Sequence, residues 1–405
     1  MRQKILGTAL AGAATAILLA TSPAHAAPAP TQQATPATAK AMHAQRLCSA
    51  STKKTVASCY AEVLVKNSTD LAPDSAAPPA SGMTPDDLQD AYNVAGTTSG
   101  GRTVAIVDAY GYPNLERDLG VYRSQFGLSA CTKANGCLKI MNQTGGTSLP
   151  STDVGWDGEQ ALDVDAVSAV CPDCKIVVVQ ATSASISNLG TAANTASKQS
   201  GVVAISNSYG GGDLADSTYG AKYNHPGIAV TASTGDDGYD GASFPASSQY
   251  VTAVGGTSLT SASNTRGWSE TVWDGAGSGC STVNAALSAA SSSGTGCSKR
   301  AMADVSAAAD PSAGGMAVYY PTSASASTWG QIGGTSESAP IVASVYALSG
   351  NTSGYANAIP YSHTGSLNDV TSGSNGSCSP TQWCTARSGW DGPTGLGTPN
   401  GTAAF

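Results

Sequence analysis

The chain has 405 residues, of which 41% are hydrophobic and only 11% are charged, and its formal net charge is -8 at pH 7. It can therefore build a sizeable core in one large or two ordinary domains, while its surface must consist largely of Ser, Thr, Asn and Gly. The acidic balance argues against nucleic acid as a partner, because nucleic-acid binding requires basic patches. A surface poor in ion pairs also loses few salt bridges when pH falls, which suits an acidic medium.

The first 26 residues have the features of a secretory signal peptide. They combine a basic start, an apolar middle of small residues and Leu, and a small-x-small ending from Ala24 to Ala26. The stretch is too short and too rich in Ala for a stable membrane anchor, and no later segment is apolar enough to span a bilayer. We therefore expect cleavage after Ala26 and a secreted, monomeric protein without a membrane partner.

Residues 27–80 are predicted to form a short leader. Residues 27–45 are rich in Ala, Pro, Thr and Gln without periodicity, so we expect them to be disordered. The segment "CSASTKKTVASCYAEVLVKN" indicates a strand with a local disulfide, and "APDSAAPPASG" is typical of a linker. We interpret 27–80 as a leader containing a possible reduced propeptide, and 81–405 as the main domain. Self-cleavage within the linker would fall between about Ala76 and Thr84.

The main domain opens with a predicted helix and continues as alternating strands and helices. In "MTPDDLQDAYNV", Thr84 caps the helix and Pro85 takes its first position. Short β-branched runs then alternate with helical stretches rich in Ala and Ser, which predicts a mostly parallel sheet with helices on both faces. The predicted strands are "TVAIVDAY", "KIVVVQA", "VVAISNSYG", "IAVTASTGD" and "YVTAVGG".

Several polar residues follow these strands. In a doubly wound α/β fold, ligands bind beyond the carboxyl ends of the strands. Asp108, residues 206–208 and Asp236 are therefore expected to point toward one rim of the sheet.

The ten cysteines of an exported chain predict disulfides. Sequence alone does not fix their connectivity, although local pairing is the simplest pattern. The motif "CPDC" could alternatively be a redox motif or half of a zinc site, but no second CxxC is present, and a structural disulfide is favoured. Local pairing would join Cys48 to Cys59, Cys131 to Cys137, Cys171 to Cys174, Cys280 to Cys297 and Cys378 to Cys384.

Two acidic side chains share one face of the predicted helix in "GWDGEQALDVDAVSAVCP". Glu159 and Asp163 are four residues apart, whereas Asp165 points elsewhere. In isolation, such a pair is usually two solvated acids near a helix start, where the macrodipole favours them. The pair becomes a candidate for catalysis only in the company of other groups.

The stretch "GGTSESAP", followed by the apolar run "IVASVYAL", provides one such group. Ser336 is either a nucleophile at the start of a buried helix or an ordinary helix-capping serine. The strand-loop layout resembles the subtilisin-like fold, but a Ser-His-Asp triad would need a histidine near the rim. Only four histidines are present, at positions 25, 43, 225 and 363, and none is placed for that role. A second group is "TASTGDDGYDG", in which Asp236 and Asp237 are either turn residues or part of a site.

Taken together, these motifs resemble the sedolisins, the serine-carboxyl peptidases of family S53. The resemblance runs in order from about Gly82 to Gly401. The matching motifs are E-x-x-L-D from Glu159, S-x-G-D-x-G from Ser233, "FPASSQYVTAVGGTSL", G-T-S-x-S-x-P from Gly334, "DVTSGSNG" from Asp369 and "GWDGPTGLGTPNG" from Gly389.

The resemblance implies a catalytic role for four residues. Ser336 would attack the scissile carbonyl, Glu159 would accept its proton, Asp163 would orient Glu159, and Asp236 would donate a proton toward the oxyanion. Carboxylates with pKa values near 4 are matched to an acidic working pH, and a carboxylic acid can donate to an oxyanion only while protonated. Glu159 and Asp163 would titrate as a coupled pair.

The resemblance also implies one structural calcium ion. Its ligands would be Asp369 and Asp391 together with the backbone carbonyls of Val370, Arg387 and Gly389, a set of hard oxygen donors that suits Ca²⁺. Without the resemblance, the two aspartates would be interpreted as Asx turns.

Two features depart from the family. Sedolisins are usually made with a long folded propeptide, whereas only about fifty residues separate the predicted cleavage site from the linker. Glu337, directly after Ser336, stands where a small or apolar residue is common, and it either raises neighbouring pKa values or faces solvent. We expect it to shift the pH profile without abolishing activity.

The sequence therefore predicts a secreted endopeptidase that cleaves protein or peptide substrates in acid, although tripeptidyl activity stays open. The alternative is a secreted protein that keeps the fold and the calcium but does not cut. An α/β esterase is disfavoured, because it would need a histidine and a different serine elbow.

Overall fold

The computed structural model describes residues 42–66, 76–351 and 353–405. The predicted signal peptide, and the part of the predicted leader that precedes Met42, lie outside these ranges.

Seven α-helices occur among the described residues, and most of them lie between strands of the main sheet. They are α1 Pro85–Ala91, α2 Leu115–Gln125, α3 Val154–Val170, α4 Ile186–Ala196, α5 Asp216–Tyr219, α6 Thr335–Ser349 and α7 Ile359–Ser362. No helix in this part of the chain is long and apolar enough to cross a membrane.

Eighteen β-strands occur in the same residues. They are β1 Met42–Arg46, β2 Ser58–Cys59, β3 Glu62–Lys66, β4 Thr103–Ala109, β5 Leu138–Asn142, β6 Lys175–Ala181, β7 Val202–Asn207, β8 Tyr209–Gly210, β9 Ala229–Ser233, β10 Thr252–Ser261, β11 Trp268–Val272, β12 Gly279–Cys280, β13 Ala301–Met302, β14 Val305–Ala308, β15 Met316–Pro321, β16 Ser327–Gly333, β17 Leu367–Asn368 and β18 Thr398–Pro399.

The main sheet has the strand order β11-β10-β9-β7-β4-β6-β5, with β14 paired to β10. Every pairing in it is parallel except that between β10 and β11. Chain order reverses at β4, with β6 on one side and β7 on the other, and this arrangement opens a crevice at the carboxyl ends of the strands.

Helices cover both faces of this sheet. Along β4, Val104 and Ile106 join one apolar cluster, which contains residues of α1, α2, α3 and α6. Ala105 and Val107 point the other way, into a cluster with residues of α4. Because successive strand residues face opposite sides, a run of Val, Ile and Ala without polar alternation is what a sheet buried on both faces requires. The predicted doubly wound, mostly parallel α/β fold is confirmed.

All five predicted strand segments form strands of this sheet, and the predicted start of α1 is confirmed. Thr84 is the N-cap residue, it forms a capping box with Asp87, and Pro85 is the first helical residue. The β5 strand was not predicted, because the local pattern of "LKIMN" alternates in exposure and lies in a loop-rich stretch.

A second sheet has the order β1-β3-β16-β15 and carries the leader onto the main body. The prediction of disorder was wrong for residues 42–45, which form β1 with Arg46 and pair antiparallel with β3. Four of the five β1 residues are exposed, so the strand forms through backbone pairing with a later segment and not through a hydrophobic pattern of its own. The division at residue 81 remains our proposal for the start of the catalytic region.

All five predicted cysteine pairs are confirmed as disulfides. Cys171, Asp173 and Cys174 are the one His, Cys, Asp or Glu cluster of the described residues that is close enough to hold a metal ion, but both cysteines are oxidised to each other. The pairing leaves no thiolate for zinc, so the half-zinc alternative for "CPDC" is wrong, whereas the redox alternative is not tested by it; the disulfide closes the turn after α3.

Candidate active site

Ser336 lies in the first turn of α6, directly after β16. The connecting Gly334 has φ 103°, a left-handed backbone conformation that favours glycine. Gly334 occupies the N-cap position and no side chain caps the helix, so the interpretation of Ser336 as a capping serine is wrong. The helix is buried on all sides as far as Leu348, which fixes the Ser336 hydroxyl at the carboxyl ends of the strands.

Glu159 and Asp163 project from α3 and are both fully buried, so the interpretation as solvated acids is wrong. The α3 helix packs against α6 and β4, and every residue from Trp156 to Val170 is buried. Asp163 Oδ1 accepts a hydrogen bond of 2.7 Å from the Ser208 hydroxyl. As predicted, Asp165 points elsewhere: its carboxylate accepts a hydrogen bond from the backbone N–H of Tyr319.

Ser208 connects the acidic pair to Ser336. Its hydroxyl also lies 3.2 Å from the Ser336 carbonyl oxygen, and its own carbonyl accepts a hydrogen bond of 3.3 Å from the Ser336 hydroxyl. Ser208 follows β7, so the sequence pattern predicted its place at the rim. Its bridging role was missed, because a serine after a strand carries no sequence signal for a hydrogen-bonding partner more than 100 residues away.

Asp236 approaches the start of α6 from the end of β9. Its Oδ1 accepts hydrogen bonds from the Thr335 backbone N–H at 2.9 Å and from the Thr335 hydroxyl at 2.7 Å. Its Oδ2 is buried without a hydrogen-bond partner and lies beside Gly334. The interpretation of Asp236 as a simple turn residue is therefore wrong, whereas the neighbouring Asp237 is exposed and pairs with Arg46. Thr335, which holds Asp236, was not predicted.

The peptide bond between Tyr60 and Ala61 lies against these groups. The Tyr60 N–H donates a hydrogen bond of 3.1 Å to the Ser336 hydroxyl oxygen. The next amide, that of Ala61, donates one of 2.9 Å to Glu159 Oε2. A Cβ on Gly334 would collide with the Tyr60 carbonyl oxygen and would lie 2.6 Å from Asp236 Oδ2. The Ser336 hydroxyl therefore contacts the amide that precedes Tyr60, while Glu159 and Asp236 lie at the N–H and carbonyl ends of the peptide unit that follows it.

Burial controls the electrostatics of the site. It raises the pKa of Glu159 well above its ordinary value, and the neighbouring Asp108 carboxyl adds to this rise, while the Ser336 hydroxyl opposes it. The pKa of Asp163 is raised well above its ordinary value by burial, then by Asp108 and Glu159, while the Ser208 hydroxyl opposes the rise. Burial also raises the pKa of Asp236, which its bonds to Thr335 partly offset.

Asp108 is the fourth buried acid of this group. It lies in β4 next to the last residue of the strand, is fully buried, and has no hydrogen-bond partner at either carboxylate oxygen. Burial raises its pKa well above its ordinary value, which favours the neutral acid. The sequence pattern predicted Asp108 at the rim, but not its influence on Glu159 and Asp163.

A model described as "Subtilase family" matches residues 144–363, which are more than half of the chain. The chain belongs to the subtilase family. This match covers α3, the strands from β6 to β16 and α6, and therefore includes Glu159, Asp163, Asp236 and Ser336.

Within the subtilases, the resemblance to the sedolisins is confirmed. Kumamolisin of Bacillus sp. (strain MN-32) is 32% identical over 369 residues, which cover 81% of this chain and 63% of kumamolisin. The structure of a Pseudomonas sedolisin, a serine-carboxyl proteinase, has a TM-score of 0.65 at 26% identity and covers 80% of this chain and 96% of its own. Tripeptidyl-peptidase sed1 of Aspergillus fumigatus is 43% identical over 77 residues, which are 17% of this chain and 12% of that protein. The chain thus spans somewhat less than two thirds of the length of kumamolisin.

None of the three described histidines of this subtilase bonds through its side chain to the site, and His43 is exposed on β1. His225 Nε2 lies 2.8 Å from the Lys222 carbonyl oxygen, and His363 Nδ1 contacts Ser362 and the Ile359 carbonyl. The ionisable side chain beside the Ser336 hydroxyl is instead Glu159 of α3. This agrees with the exclusion of a Ser-His-Asp mechanism on sequence grounds.

Glu337 is fully buried, so the expectation that it could face solvent is wrong. Both side-chain oxygens lack a side-chain hydrogen-bond partner, and burial raises its pKa well above the ordinary value, with a backbone N–H of Met316 opposing the rise. Its charged neighbour is Asp310, and the pKa shifts of the site acids arise from Asp108, from Glu62 and from one another. Its effect on the pH profile of the enzyme stays a prediction.

The five predicted calcium ligands of this subtilase lie on two segments, one directly after β17 and one at residues 387–391, which hydrogen bonds join. The backbone N–H of Gly389 donates to Asp369 Oδ2 at 3.0 Å, and that of Arg387 donates to Asp391 Oδ2 at 3.3 Å. Asp391 is fully buried and its Oδ1 accepts hydrogen bonds from Thr394. Within the described ranges, no hydrogen bond to the carbonyl oxygens of Val370, Arg387 or Gly389 is found. Two carboxylates and three carbonyls free to coordinate are a donor set that fits Ca²⁺.

Proposed function

We propose that this chain is a secreted endopeptidase that hydrolyses protein and peptide substrates in acid. The observation that carries the proposal is the placement of Tyr60: its own N–H bonds to the Ser336 hydroxyl, and the peptide bond that follows it lies against Glu159 and near the free oxygen of Asp236. The peptidase relatives support the reaction class. Secretion is supported by the predicted signal peptide and by the five disulfides.

The proposed reaction begins with attack of Ser336 Oγ on the carbonyl carbon of the scissile bond. Glu159 accepts the serine proton as general base and then donates it to the leaving amide nitrogen. In this structure the corresponding nitrogen, that of Ala61, donates a hydrogen bond to the Glu159 carboxylate. Asp163, held by Ser208, titrates together with Glu159, so the pair acts as base in the form that carries one proton and one negative charge between its two carboxyl groups. Water then hydrolyses the acyl-enzyme ester by the reverse sequence.

Asp236 is proposed to stabilise the oxyanion. Its Oδ1 is held by Thr335, so a proton on Oδ2 points to the side where the Tyr60 carbonyl lies. A carboxyl group can donate only while protonated, so this contribution is present at low pH and is lost as pH rises through the raised pKa of Asp236. The activity is therefore expected to be highest at low pH and to fall as Asp236 loses its proton.

Endopeptidase activity is favoured over tripeptidyl activity by the length of the occupied cleft. On the acyl side of Tyr60, the main body bonds to the backbone of Ala57, Thr55 and Lys54. The cleft therefore holds at least seven residues on the acyl side of the scissile bond. A tripeptidyl-peptidase would need its cleft to be closed beyond the third residue, and no such closure is present at the described residues.

Digestion of casein and haemoglobin from pH 2 to 8 tests the proposed function. We expect cleavage that is maximal in acid and falls toward neutrality, and we expect Ser336→Ala to reduce it by at least about 10³-fold, since loss of a nucleophile removes the covalent route. A folded wild-type protein that cleaves neither substrate at any pH would support the silent binding alternative instead.

We further propose that Asp369, Val370, Arg387, Gly389 and Asp391 hold one structural Ca²⁺. The ion would tie the loop of residues 387–391 to the strand-ending Asp369, and it takes no part in the chemistry. Removing it should destabilise the folded protein, because a ligand that binds only the native state stabilises that state by mass action.

Calcium removal is expected to lower Tm by about 5 °C at pH 6, measured by calorimetry with and without a chelator. Added Ca²⁺ should restore the Tm, and Mg²⁺, which demands a tighter octahedral site, should not. In the Asp391→Asn variant the chelator should have little further effect. An unchanged Tm in the chelated wild-type protein would refute the site.

A further inference from the structure

The residues from Val56 to Val63 cross the candidate active site as an extended segment, after a turn that contains Lys54 and Thr55. On the acyl side, Ser58 and Cys59 pair antiparallel with Gly210 and Tyr209. Further back, Ala57 N–H bonds to the Ala184 carbonyl at 2.8 Å. The segment is thus held between two edges of the main body, which is how an extended peptide binds by strand addition.

The leaving side is held in the same manner. Glu62 and Val63 pair antiparallel with Gly333 and Ile332, the residues that lead into α6 and Ser336. Backbone pairing on both sides of the Tyr60–Ala61 bond fixes its position with respect to Ser336 and Glu159, as a bound substrate requires.

The Tyr60 side chain fills a recess whose walls are glycines. A Cβ on Gly210 would collide with the Tyr60 hydroxyl, and one on Gly235 would lie 3.5 Å from its ring carbon Cζ. Ser243 lies beside the hydroxyl, and the residue is only 7% exposed. Any side chain in place of Gly210 would occupy the space that the phenol takes, so the recess has the size and shape of an aromatic residue.

We propose that Tyr60–Ala61 is the first substrate of this enzyme, and that the recess formed by Gly210, Gly235 and Ser243 selects an aromatic side chain on the acyl side of the cleaved bond. This inference rests on the proposed function. Ser336 Oγ forms an ester with the Tyr60 carbonyl, the Tyr60–Ala61 bond breaks, and the serine proton passes through Glu159 to the Ala61 amine. One water molecule then releases Tyr60 as a carboxylic acid and regenerates Ser336.

The two products remain paired after this cleavage. The β1 strand precedes the bond and β3 follows it, yet they form a five-residue antiparallel ladder, and Arg46 also contacts Glu62 and Asp237. The leader fragment that ends at Tyr60 therefore stays bound until this hairpin opens. Cleavage must be measured on denatured protein, because the native mass would not change.

Intact mass and N-terminal sequencing of the denatured, secreted protein after incubation at pH 4 test the cleavage site. We expect a chain beginning at Ala61 from the wild type, and an uncut chain from Ser336→Ala. A wild-type protein that digests casein but begins elsewhere, for instance between 76 and 84, would overturn this inference alone. A wild-type protein that neither processes itself nor digests casein would overturn the proposed function as well.

The recess is tested separately with two matched peptides that differ only in Tyr or Ala on the acyl side of the cleaved bond. We expect the wild type to prefer the Tyr peptide by at least about tenfold in kcat/KM, and Gly210→Ala to reduce that preference by about tenfold or more, mainly through KM. Gly120→Ala is the control, because Gly120 is exposed on α2 and a Cβ there meets no other atom. Equal rates for the two peptides, or an unchanged preference in Gly210→Ala, would overturn the aromatic recess.

Discussion

Glu159→Gln is expected to lower kcat for peptide hydrolysis by about 10² to 10⁴-fold, the range that a general base contributes. Glutamine keeps the shape of the side chain and can still accept a hydrogen bond from an amide, but it cannot take the serine proton. The measurement is kcat and KM on one peptide at the acidic optimum. KM should change little, because glutamine still accepts the hydrogen bond from the substrate amide and substrate binding is therefore preserved in the variant.

Asp165→Asn is the matched control for this variant. Asp165 is a fully buried acid on the same helix, and its contact is with Tyr319 instead of the site. We expect kcat within a few-fold of the wild type. Comparable losses in both variants would mean that α3 tolerates no change of charge and that the Glu159 effect is structural, which would contradict the proposed role.

The free energy of unfolding is expected to fall as pH rises from about 4 toward neutrality. Burial raises the pKa values of Glu159, Asp163, Asp236 and Glu337 well above those of an unfolded chain. A group whose folded pKa is raised stabilises the native state fully below its unfolded pKa, and this stabilisation is lost as pH rises through the folded pKa. Each such group contributes a slope of about 1.4 kcal/mol per pH unit across that window.

Urea unfolding of Ser336→Ala at pH 3 to 7 measures this slope without self-digestion. Adding Glu337→Gln should flatten the slope, because one buried titrating carboxyl is replaced by an uncharged amide that is held at the same place. A free energy of unfolding that increases with pH in Ser336→Ala would contradict this prediction. An unchanged slope in the double variant would show that Glu337 does not contribute to the pH dependence of stability.

The central sheet was predictable because its signal is local. The run "KIVVVQA" has four consecutive apolar residues without polar alternation, which is the pattern of a strand that is buried on both faces of the sheet. The carboxyl ends of such strands meet at one rim, so Asp108 and Asp236 could be expected near each other from chain order alone. The spacing of Glu159 and Asp163 on one helix face was likewise a local property.

The contacts that make the site chemically complete were not local. Ser208 bonds to Asp163 across 45 residues and to Ser336 across 128, and Thr335 holds Asp236 across 99. Short polar side chains of this kind are common throughout the sequence, so their partners emerge only when the strands are assembled. The burial of Glu337 has the same origin, because the fully buried first turn of α6 leaves it no route to solvent.

The place of the leader was the largest difference from the sequence prediction. Residues 42–45 have no hydrophobic period, yet they pair with β3, which itself pairs with β16 some 270 residues later. An edge strand can form by backbone pairing without any side-chain pattern, so the composition of residues 42–45 does not predict β1. The consequence is functional, because this pairing carries Tyr60 and Ala61 into the site.

A rapid acid-quench experiment with a p-nitrophenyl ester of an N-protected amino acid tests most directly whether carboxyl groups alone activate the serine. At acidic pH we predict a burst of nitrophenol equal to the enzyme concentration, together with the mass of the acyl group on the peptide that contains Ser336, and both should disappear in Glu159→Gln. Turnover without any acyl group on Ser336, or an undiminished burst in Glu159→Gln, would contradict the account.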